Sequence, residues 1–350
     1  MSRGEIEMRR FVNLVEAEVH LSYEEMKEAA VRLFSEETAT EEITAFLVAL
    51  SRKGETALEI AALASVMRSL AVHVNAPQEA FMDNCGTGGD GSDSFNISTA
   101  SAFVLAGAGA KVAKHGNRKV SSAAGSSDVL EALGVSLDFS SDELSDLLEE
   151  EGLAFIYAPQ VHPRLKRIGE IRQQIGKPTI FNLVGPLTNP VRLTTQFTGI
   201  SRPDFVMEYA SALRMLGMER AIVVSGANGM DEASLAGQNS FVLLDKGDLI
   251  PFTLTADDVG LDFAPASAVR GGSARENASI IHDILNGKRG PHFDTVAFNA
   301  GIGLFSSGLV GTIQEGVKHA VDSILSGRAL GKLEAVVAFS EKVGQKEVAK

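Results

Sequence analysis

The most informative stretch of this sequence is DNCGTGGDGSDSFNIST, residues 83–99, where a cluster of glycines leads into small polar side chains. The chain has 34 glycines in 350 residues, an excess over the usual share of ~7% that lies in loops between apolar runs. Because glycine lets a backbone approach a ligand closely, the cluster predicts a binding loop.

Residues 86–91 match the spacing G-x-G-x-x-G of dinucleotide-binding loops, but their surroundings do not fit. That fingerprint requires a helix that starts at the glycines and an acidic residue about 20 positions later. Here residues 92–95 intervene, and the later region offers Lys111 and Lys114 instead. Two interpretations remain. The first is a loop whose N–H groups cradle a phosphate, with Ser98 and Thr99 opening an anion-binding helix; the second is a purely structural turn.

The chain before this stretch is helical in character. Residues 1–74 contain two capping boxes, Ser22 to Glu25 and Thr56 to Glu59, and each leads into apolar positions three or four apart. Gly54 is placed to end the third helix. We therefore expect a small helical domain at the N-terminus.

After Pro77, short β-branched runs alternate with helix-period segments. The runs are residues 111–113, 154–157, 179–183, 197–200 and 221–225. The helical segments include residues 129–133, 142–150 and 205–216. The expected fold class is α/β: a small N-terminal helical domain, and a larger domain with a central, mainly parallel sheet flanked by helices. Ligands of such sheets bind at the loops beyond the carboxyl ends of the strands.

A second candidate loop is KHGNRKVSS, residues 114–122, which continues to Gly125, Ser126 and Ser127. Three cations, an amide and several hydroxyls follow a predicted strand, and a helix is expected to open near Asp128. Guanidinium and ammonium groups bind phosphate well, so the pattern predicts a second anion site. A solvated charge cluster is the alternative.

Two further features carry candidate chemistry. Asp231 and Glu232 follow the apolar run 221–224 and are the ligand type that Mg²⁺ prefers, although an isolated acidic pair is more often a solvated turn. Arg172 and His162 would face one side if the segment between them were a single helix. An arginine fork suits a carboxylate, while the plainer interpretation of Arg172 is a surface cation.

Composition excludes several classes of protein. The formal net charge is −13, with 32 Lys and Arg against 45 Asp and Glu, which argues against a nucleic-acid binder but permits a small anionic substrate. The single cysteine, Cys85, excludes an intrachain disulfide. No apolar run approaches the ~20 residues of a membrane helix. Because the opening MSRGEIEMRR is charged throughout, we expect a cytoplasmic protein without a targeting leader.

Taken together and in this order, the motifs resemble those of the anthranilate phosphoribosyltransferase family. The matching motifs are GTGGD (86–90), NIST (96–99), KHGNR (114–118), HP with Arg172 ten residues after the histidine, FNxxGPLTNP (181–190), the late DE pair and GGSARENA (271–278). The helical N-terminal region agrees as well, so the likeness covers nearly the whole chain.

The resemblance implies a fold like that of pyrimidine nucleoside phosphorylases. It implies transfer of the phosphoribosyl group of 5-phosphoribosyl 1-pyrophosphate (PRPP) to the amine of anthranilate with Mg²⁺, the second step of tryptophan synthesis from chorismate. Residues 1–74 would form the helical domain, completed by part of about 163–190, and residues 75–350 the domain that binds PRPP and Mg²⁺. A homodimer through the helical domain is implied too, with no nucleic acid or membrane partner.

The resemblance also implies the site residues. Those that would hold PRPP are Gly86, Gly89, Asp90, Ser94, Asn96, Ile97, Ser98, Thr99, Lys114, His115, Gly116, Asn117, Arg118, Lys119, Val120, Ser121, Ser122 and Ser126. Those that would contact anthranilate are Gly86, Asn117, Arg172, His115, His162 and Pro186. The Mg²⁺ ligands would be Ser98, Asp231 and Glu232. No general base is assigned, because an arylamine is already neutral at pH 7.

One departure and two rival functions stay open. Relatives commonly carry G-x-R-T before the FN motif, whereas residues 176–179 read GKPT, which removes a cation near the end that would hold the aromatic substrate. A pyrimidine nucleoside phosphorylase would leave Asn117 and Arg172 without a carboxylate to hold. A non-catalytic nucleic-acid-binding relative is opposed by the net charge of −13 and by the intact acidic pair.

Overall fold

The computed structural model describes residues 3–118 and 124–348. The chain begins with the helices α1 (Arg3–Glu16), α2 (Tyr23–Leu33), α3 (Thr40–Lys53) and α4 (Ala57–Leu70). Both capping boxes predicted from the sequence are formed, at Ser22 before α2 and at Thr56 before α4. Gly54, with φ of 88°, ends α3 as predicted. Local sequence therefore determines where α2 and α4 begin and where α3 ends.

The strands of the second part form one seven-stranded sheet. They are β1 (Phe81–Asp83), β2 (Lys111–Gly116), β3 (Leu153–Tyr157), β4 (Leu193–Gly199), β5 (Arg220–Ser225), β6 (Asn239–Asp245) and β7 (Asp248–Leu254). Their order in the sheet is β3-β2-β1-β4-β5-β6-β7. The strands from β3 to β5 pair in parallel, while β6 and β7 add antiparallel at one edge. The expected central, mainly parallel sheet is confirmed.

The helices that follow α4 include the ones that cover both faces of this sheet. They are α5 (Ile97–Gly107), α6 (Ser126–Ala132), α7 (Ser141–Glu151), α8 (Ala158–Val161), α9 (Leu165–Ile175), α10 (Phe181–Val184), α11 (Val206–Met215), α12 (Ala274–Leu285), α13 (Pro291–Ser306), α14 (Ile313–Leu325) and α15 (Arg328–Val348). Among the described residues, no helix combines the length and the apolar character needed to cross a membrane.

The two sides of β5 belong to two different apolar cores. Ile222 and Val224 pack into the core formed with α5, α13, α14 and α15. Ala221 and Val223 point the other way, into a core that contains α11 and the N-terminal helices. This alternation follows from the two-residue period of a strand. Helices α9 and α10 join the second core through Ile168, Ile171 and Phe181, so the chain returns to the N-terminal helices after β3.

Three details differ from the sequence-based expectation. Residues 179–183 do not form a strand; Phe181–Val184 is a short buried helix, and a brief apolar run does not distinguish the two. His162 and Arg172 do not share one helix, because α8 ends at Val161 and Pro163 separates His162 from α9. The β6–β7 hairpin was not predicted at all.

Glu59 closes the capping box of α4 from a fully buried position. Its carboxylate accepts hydrogen bonds from the N–H groups of Thr56 (2.9 Å) and Leu21 (3.0 Å), and from Lys53 Nζ (2.9 Å). We expect Glu59→Ala to lower the free energy of unfolding by about 3–5 kcal/mol, because the Lys53 ammonium then lies buried without its counter-charge. The matched change Glu25→Ala, in the exposed box of α2, should cost about 1 kcal/mol. Urea unfolding measures both, and equal costs would contradict the prediction.

Candidate active site

The glycine loop follows β1 and lies at the carboxyl edge of the sheet. Thr87 N–H donates to the carbonyl of Gly199 at the end of β4 (2.9 Å), and Gly88 N–H donates to Asp231 Oδ2 (2.6 Å). No helix starts at the glycines, since α5 begins at Ile97. The structure therefore agrees with the rejection of the dinucleotide fingerprint. The loop lies where the strand order reverses between β1 and β4, the usual ligand position in such sheets.

Two glycines are required by the close approach of Asp231. A Cβ atom on Gly86 would lie 2.5 Å from Asp231 Oδ2, and one on Gly199 would lie 1.6 Å from the Asp231 carbonyl oxygen. No side chain fits at either position without moving the acidic loop. Sequence reasoning assigned Gly86 to a ligand; the structure adds that its missing side chain makes room for the acidic residue.

Asp231 and Glu232 lie in the loop after β5 and face the start of α5. Glu232 Oε1 accepts a hydrogen bond from Ser98 N–H (3.2 Å), and Asp90 Oδ2 accepts one from Asp231 N–H (3.3 Å). Burial raises the pKa of Asp231 to about 7, and the charge of Asp90 adds to the shift. Burial and the charge of Asp231 raise the pKa of Glu232 to about 8. Ionisation of these clustered carboxyl groups is therefore costly unless a cation lies beside them.

Lys114 is the cation that faces this acidic group. It is 2% exposed, and its Nζ donates to Ser98 Oγ (3.1 Å) and to the carbonyl of Asn84 (3.3 Å). Its charge opposes the upward shift of the pKa of Glu232. A single buried ammonium does not balance three ionised carboxylates, so a further cation would favour their ionised form.

The residues present fit a divalent cation that shares its ligands with a substrate. Asp231, Glu232 and the Ser98 hydroxyl supply oxygen donors of the kind that Mg²⁺ prefers. In the part of the chain that the structure describes, no group of three or more His, Cys, Asp or Glu side chains is arranged to hold a metal ion alone. Because Mg²⁺ commonly binds through one or two carboxylates plus substrate phosphates, this arrangement suits a metal that arrives with a diphosphate.

The KHGNR motif lies at the end of β2, beside the glycine loop. Asn117 O accepts a hydrogen bond from Ser126 Oγ at the start of α6 (3.1 Å). The Arg118 guanidinium donates hydrogen bonds to the Glu131 carboxylate (2.6 and 2.7 Å) and to the Tyr157 hydroxyl (3.1 Å). The predicted ligands Lys119, Val120, Ser121 and Ser122 lie outside the described residues.

The other end of the site is apolar and carries one arginine. Leu165, Phe181 and Val184 line this end. The Arg172 guanidinium lies 5.7 Å from the centre of the Phe181 ring, and its NH2 donates to Asn182 Oδ1 (3.0 Å). Burial lowers the pKa of Arg172, which a carboxylate ligand would oppose. The arrangement suits an aromatic carboxylate.

His115 and His162 are packed edge to face, with ring centres 5.4 Å apart. His115 lines the cavity, whereas His162 lies behind it, with Nε2 3.0 Å from the carbonyl oxygen of Thr188. Burial lowers the pKa of His115 to about 3 and also lowers the pKa of His162. Both rings are therefore neutral at physiological pH and form an uncharged wall.

These neutral histidines give a prediction for stability. The unfolded chain takes up a proton at each ring near pH 6.5, but the folded chain does not, so stability falls as the pH drops below that value. We expect His115→Asn to remove about 1.4 kcal/mol per pH unit from this slope between roughly pH 6 and 4. Urea unfolding of both proteins at several pH values measures it, and parallel curves would contradict the assignment.

Sequence reasoning missed two buried polar residues beneath the site. Asp83 is fully buried and accepts hydrogen bonds from His115 N–H (3.3 Å) and from Asn189 Nδ2 (2.9 Å). Asn189 Nδ2 also donates to the carbonyl of Ala113 (2.7 Å). Together they connect β1, β2 and the segment before β4. Asp83 precedes the glycine loop and Asn189 is the fourth residue of PLTNP (186–190), but neither position signals burial.

One cavity of about 320 Å³ lies among these groups, and Met67 of α4 also lines it. Most of the residues proposed for substrates and metal line it. They are Gly86, Gly89, Asp90, Ser94, Asn96, Ile97, Ser98, Thr99, Lys114, His115, Gly116, Asn117, Arg118, Ser126, Arg172, Pro186, Asp231 and Glu232. Among the proposed residues that the structure describes, only His162 does not line the cavity, and it contacts the site through His115.

Comparison with known proteins places the chain in a family. Residues 78–330 match the glycosyl transferase family α/β domain, and residues 13–71 match the helical bundle domain of the same family. An anthranilate phosphoribosyltransferase of Exiguobacterium sibiricum is 59% identical over 90% of this chain and 93% of its own length. One of Listeria monocytogenes is 50% identical over 93% of this chain and 96% of its own length.

Solved structures agree. Anthranilate phosphoribosyltransferase of Thermus thermophilus superposes with a TM-score of 0.90 at 39% identity, covering 95% of this chain and 99% of its own. The Saccharomyces cerevisiae enzyme in complex with PRPP and Mg gives a TM-score of 0.89 at 26% identity, covering 97% and 99%. With matched motifs, fold and length, the chain belongs to the anthranilate phosphoribosyltransferase family.

Proposed function

We propose that this protein transfers the phosphoribosyl group of PRPP to the amine of anthranilate, which yields N-(5-phosphoribosyl)anthranilate and pyrophosphate. The observation that carries the proposal is a single cavity with a glycine loop and acidic pair at one end and Arg172 on an apolar wall at the other. A diphosphate with its metal matches the first end. An aromatic carboxylate matches the second.

Each end supplies a different part of the chemistry. Displacement of pyrophosphate from the anomeric carbon builds positive charge on the ribose and negative charge on the leaving group. Backbone N–H groups of the glycine loop and Lys114 oppose the negative charge, while Arg172 orients the acceptor so that its amine faces the ribose. Mg²⁺, when bound, would neutralise charge on the diphosphate, held by Asp231, Glu232 and Ser98.

The acceptor needs little help from a base. The amine of anthranilate is neutral at pH 7, and neutral His115 lies in the cavity wall. Its pKa of about 3 makes it a poor proton acceptor. The nitrogen that bonds to the anomeric carbon as pyrophosphate leaves becomes a strongly acidic ammonium, which loses its proton to water or to the departing pyrophosphate, so no dedicated general base is required.

We propose further that residues 1–74, with part of about 163–190, form the helical domain and that residues 75–350 form the second domain. We also propose that two chains associate through the helical domain. Support comes from α9 and α10, which pack with the N-terminal helices. Sedimentation velocity tests the assembly, and a monomer at micromolar concentration would overturn it.

The direct test is loss of anthranilate fluorescence with purified protein, PRPP and Mg²⁺, against a chelator control. Loss that requires both the donor and the metal supports the proposal. A folded preparation that binds PRPP but consumes no anthranilate would mean that another acceptor is used, and residues 177–178 would be examined first. Phosphorolysis of uridine or thymidine would favour the nucleoside phosphorylase rival. Salt-sensitive retention of DNA without turnover would favour the nucleic-acid-binding rival.

A further inference from the structure

The segment GGSARENA, residues 271–278, packs against the glycine loop. Gly271 N–H donates to the carbonyl of Asp93 (2.8 Å), and Phe95 N–H donates to the carbonyl of Val269 (3.1 Å). A Cβ atom on Gly271 would lie 2.7 Å from the Cα of Phe95, so this contact requires glycine. The segment and the loop are therefore packed as one unit.

Asn277 extends this contact to a cavity residue through a chain of hydrogen bonds. It lies on α12 and is 1% exposed. Gly272 N–H donates to Asn277 Oδ1 (2.7 Å), and Asn277 Nδ2 donates to Asn96 Oδ1 (2.8 Å). Asn96 Nδ2 in turn donates to the carbonyl of Ala124 (3.2 Å). The chain links the 271–278 segment, the glycine loop and the end of the KHGNR loop.

The two backbone groups at the ends of this series of hydrogen bonds fix the orientation of both side-chain amides. The backbone N–H of Gly272 can only donate, so the oxygen of Asn277 must face it and its NH₂ group must face Asn96. Asn96 then presents its oxygen to Asn277. Its NH₂ group points to the Ala124 carbonyl, which can only accept. The orientation of Asn96 is thus imposed from two sides, by the Ala124 carbonyl at the cavity and by Asn277, which does not line it.

We propose that Asn277 is a positioning residue for the phosphoribosyl donor: it holds the Asn96 amide with its NH₂ group, rather than its oxygen, available to the cavity. The Ala124 carbonyl accepts one N–H of that group, which leaves the other for a phosphate or ribose oxygen of the donor. A reversed amide would present a carbonyl oxygen to an oxygen-rich anion, which is repulsive. This inference rests on the proposed use of PRPP.

Asn277→Asp tests the orientation at the alkaline end of a pH series, because its buried carboxyl must ionise before it loses the hydrogen that it could offer to Asn96. One carboxylate oxygen still accepts from Gly272 N–H, but the other has no hydrogen to offer Asn96, so Asn96 turns its NH₂ group toward residue 277. We expect the KM for PRPP to rise by about tenfold or more, the effect of a lost hydrogen bond to a charged ligand. The KM for anthranilate should stay within about twofold.

Asn277→Ala separates orientation from packing. Alanine loses both hydrogen bonds but leaves Asn96 free to keep its orientation, so its KM for PRPP should rise less than that of Asn277→Asp. A merely structural role gives the reverse order. Glu276→Gln is the control, because Glu276 caps the same helix through Ser273 at an exposed position and does not touch Asn96.

A double-variant comparison completes the test. On an Asn96→Ala background, Asn277→Asp should have no further effect on PRPP binding, because no amide remains to turn. Equal effects on both backgrounds, or a larger effect of Asn277→Ala than of Asn277→Asp, would overturn the proposal. Calorimetric titration with PRPP and Mg²⁺ reads binding without turnover. A wild-type protein that binds PRPP but lacks transferase activity would therefore refute the proposed function without deciding the role of Asn277.

Discussion

The double variant Asp231→Asn/Glu232→Gln is expected to lose about three powers of ten in kcat/KM with PRPP and Mg²⁺. A bound metal contributes several kcal/mol to stabilising charge in such reactions, and each 1.36 kcal/mol corresponds to about tenfold in rate. The amides keep the shape of both side chains but bind Mg²⁺ weakly. Each single variant should lose nearly as much activity as the double variant, because both carboxylates would bind the same Mg²⁺ ion. Initial rates across a Mg²⁺ titration measure the loss.

This loss should come without loss of folding. The pKa values of Asp231 and Glu232 are raised because ionisation is costly in their buried, acidic surroundings. Neutral amides avoid that cost, so Tm should equal or exceed the wild-type value. Asp204→Asn, an exposed carboxylate paired with Arg202, is the control and should change neither property. Wild-type activity in the double variant would show that the acidic pair is not the metal site.

Arg172→Ala is expected to raise the KM for anthranilate by about 10- to 100-fold, the value of charge-assisted hydrogen bonds from one guanidinium. The KM for PRPP should change by less than about twofold, because Arg172 belongs to the apolar end of the cavity. Arg172→Lys should not restore binding, since an ammonium cannot form two parallel bonds to a carboxylate. Fluorescence assays with each substrate varied in turn separate the two KM values.

A matched control lies on the same helix. Lys166→Ala removes an exposed cation of α9 that does not line the cavity, so it should leave both KM values unchanged. If Lys166→Ala and Arg172→Ala weakened anthranilate binding equally, the effect would reflect the general charge of α9 rather than a contact. If Arg172→Ala changed only the KM for PRPP, the assignment of the two ends of the cavity would be reversed.

The helix ends and the parallel core of the sheet were predictable because they depend on local signals. The Ser22 and Thr56 capping boxes satisfy backbone groups within four residues. Strands 111–113, 154–157 and 221–225 were recognised as β-branched runs and are parts of β2, β3 and β5. Residues 179–183 were assigned wrongly because their short apolar run is compatible with a strand or a buried helix, and only packing against the N-terminal helices selects the helix.

The sequence by itself determined the residue types of the site and the family to which they belong. Tertiary structure decided how deeply those residues are buried and which charged and polar groups lie beside them. In the sequence Asp231 and Glu232 are a candidate metal pair that could equally be a solvated turn, whereas the fold buries them beside Asp90, and this burial together with the neighbouring negative charge raises their pKa values. Asn277 reads as one polar residue among several in its motif, yet it orients Asn96 across a sequence separation of 181 residues. Burial and contact between distant segments arise only when the chain folds, so one-dimensional spacing could not reveal them.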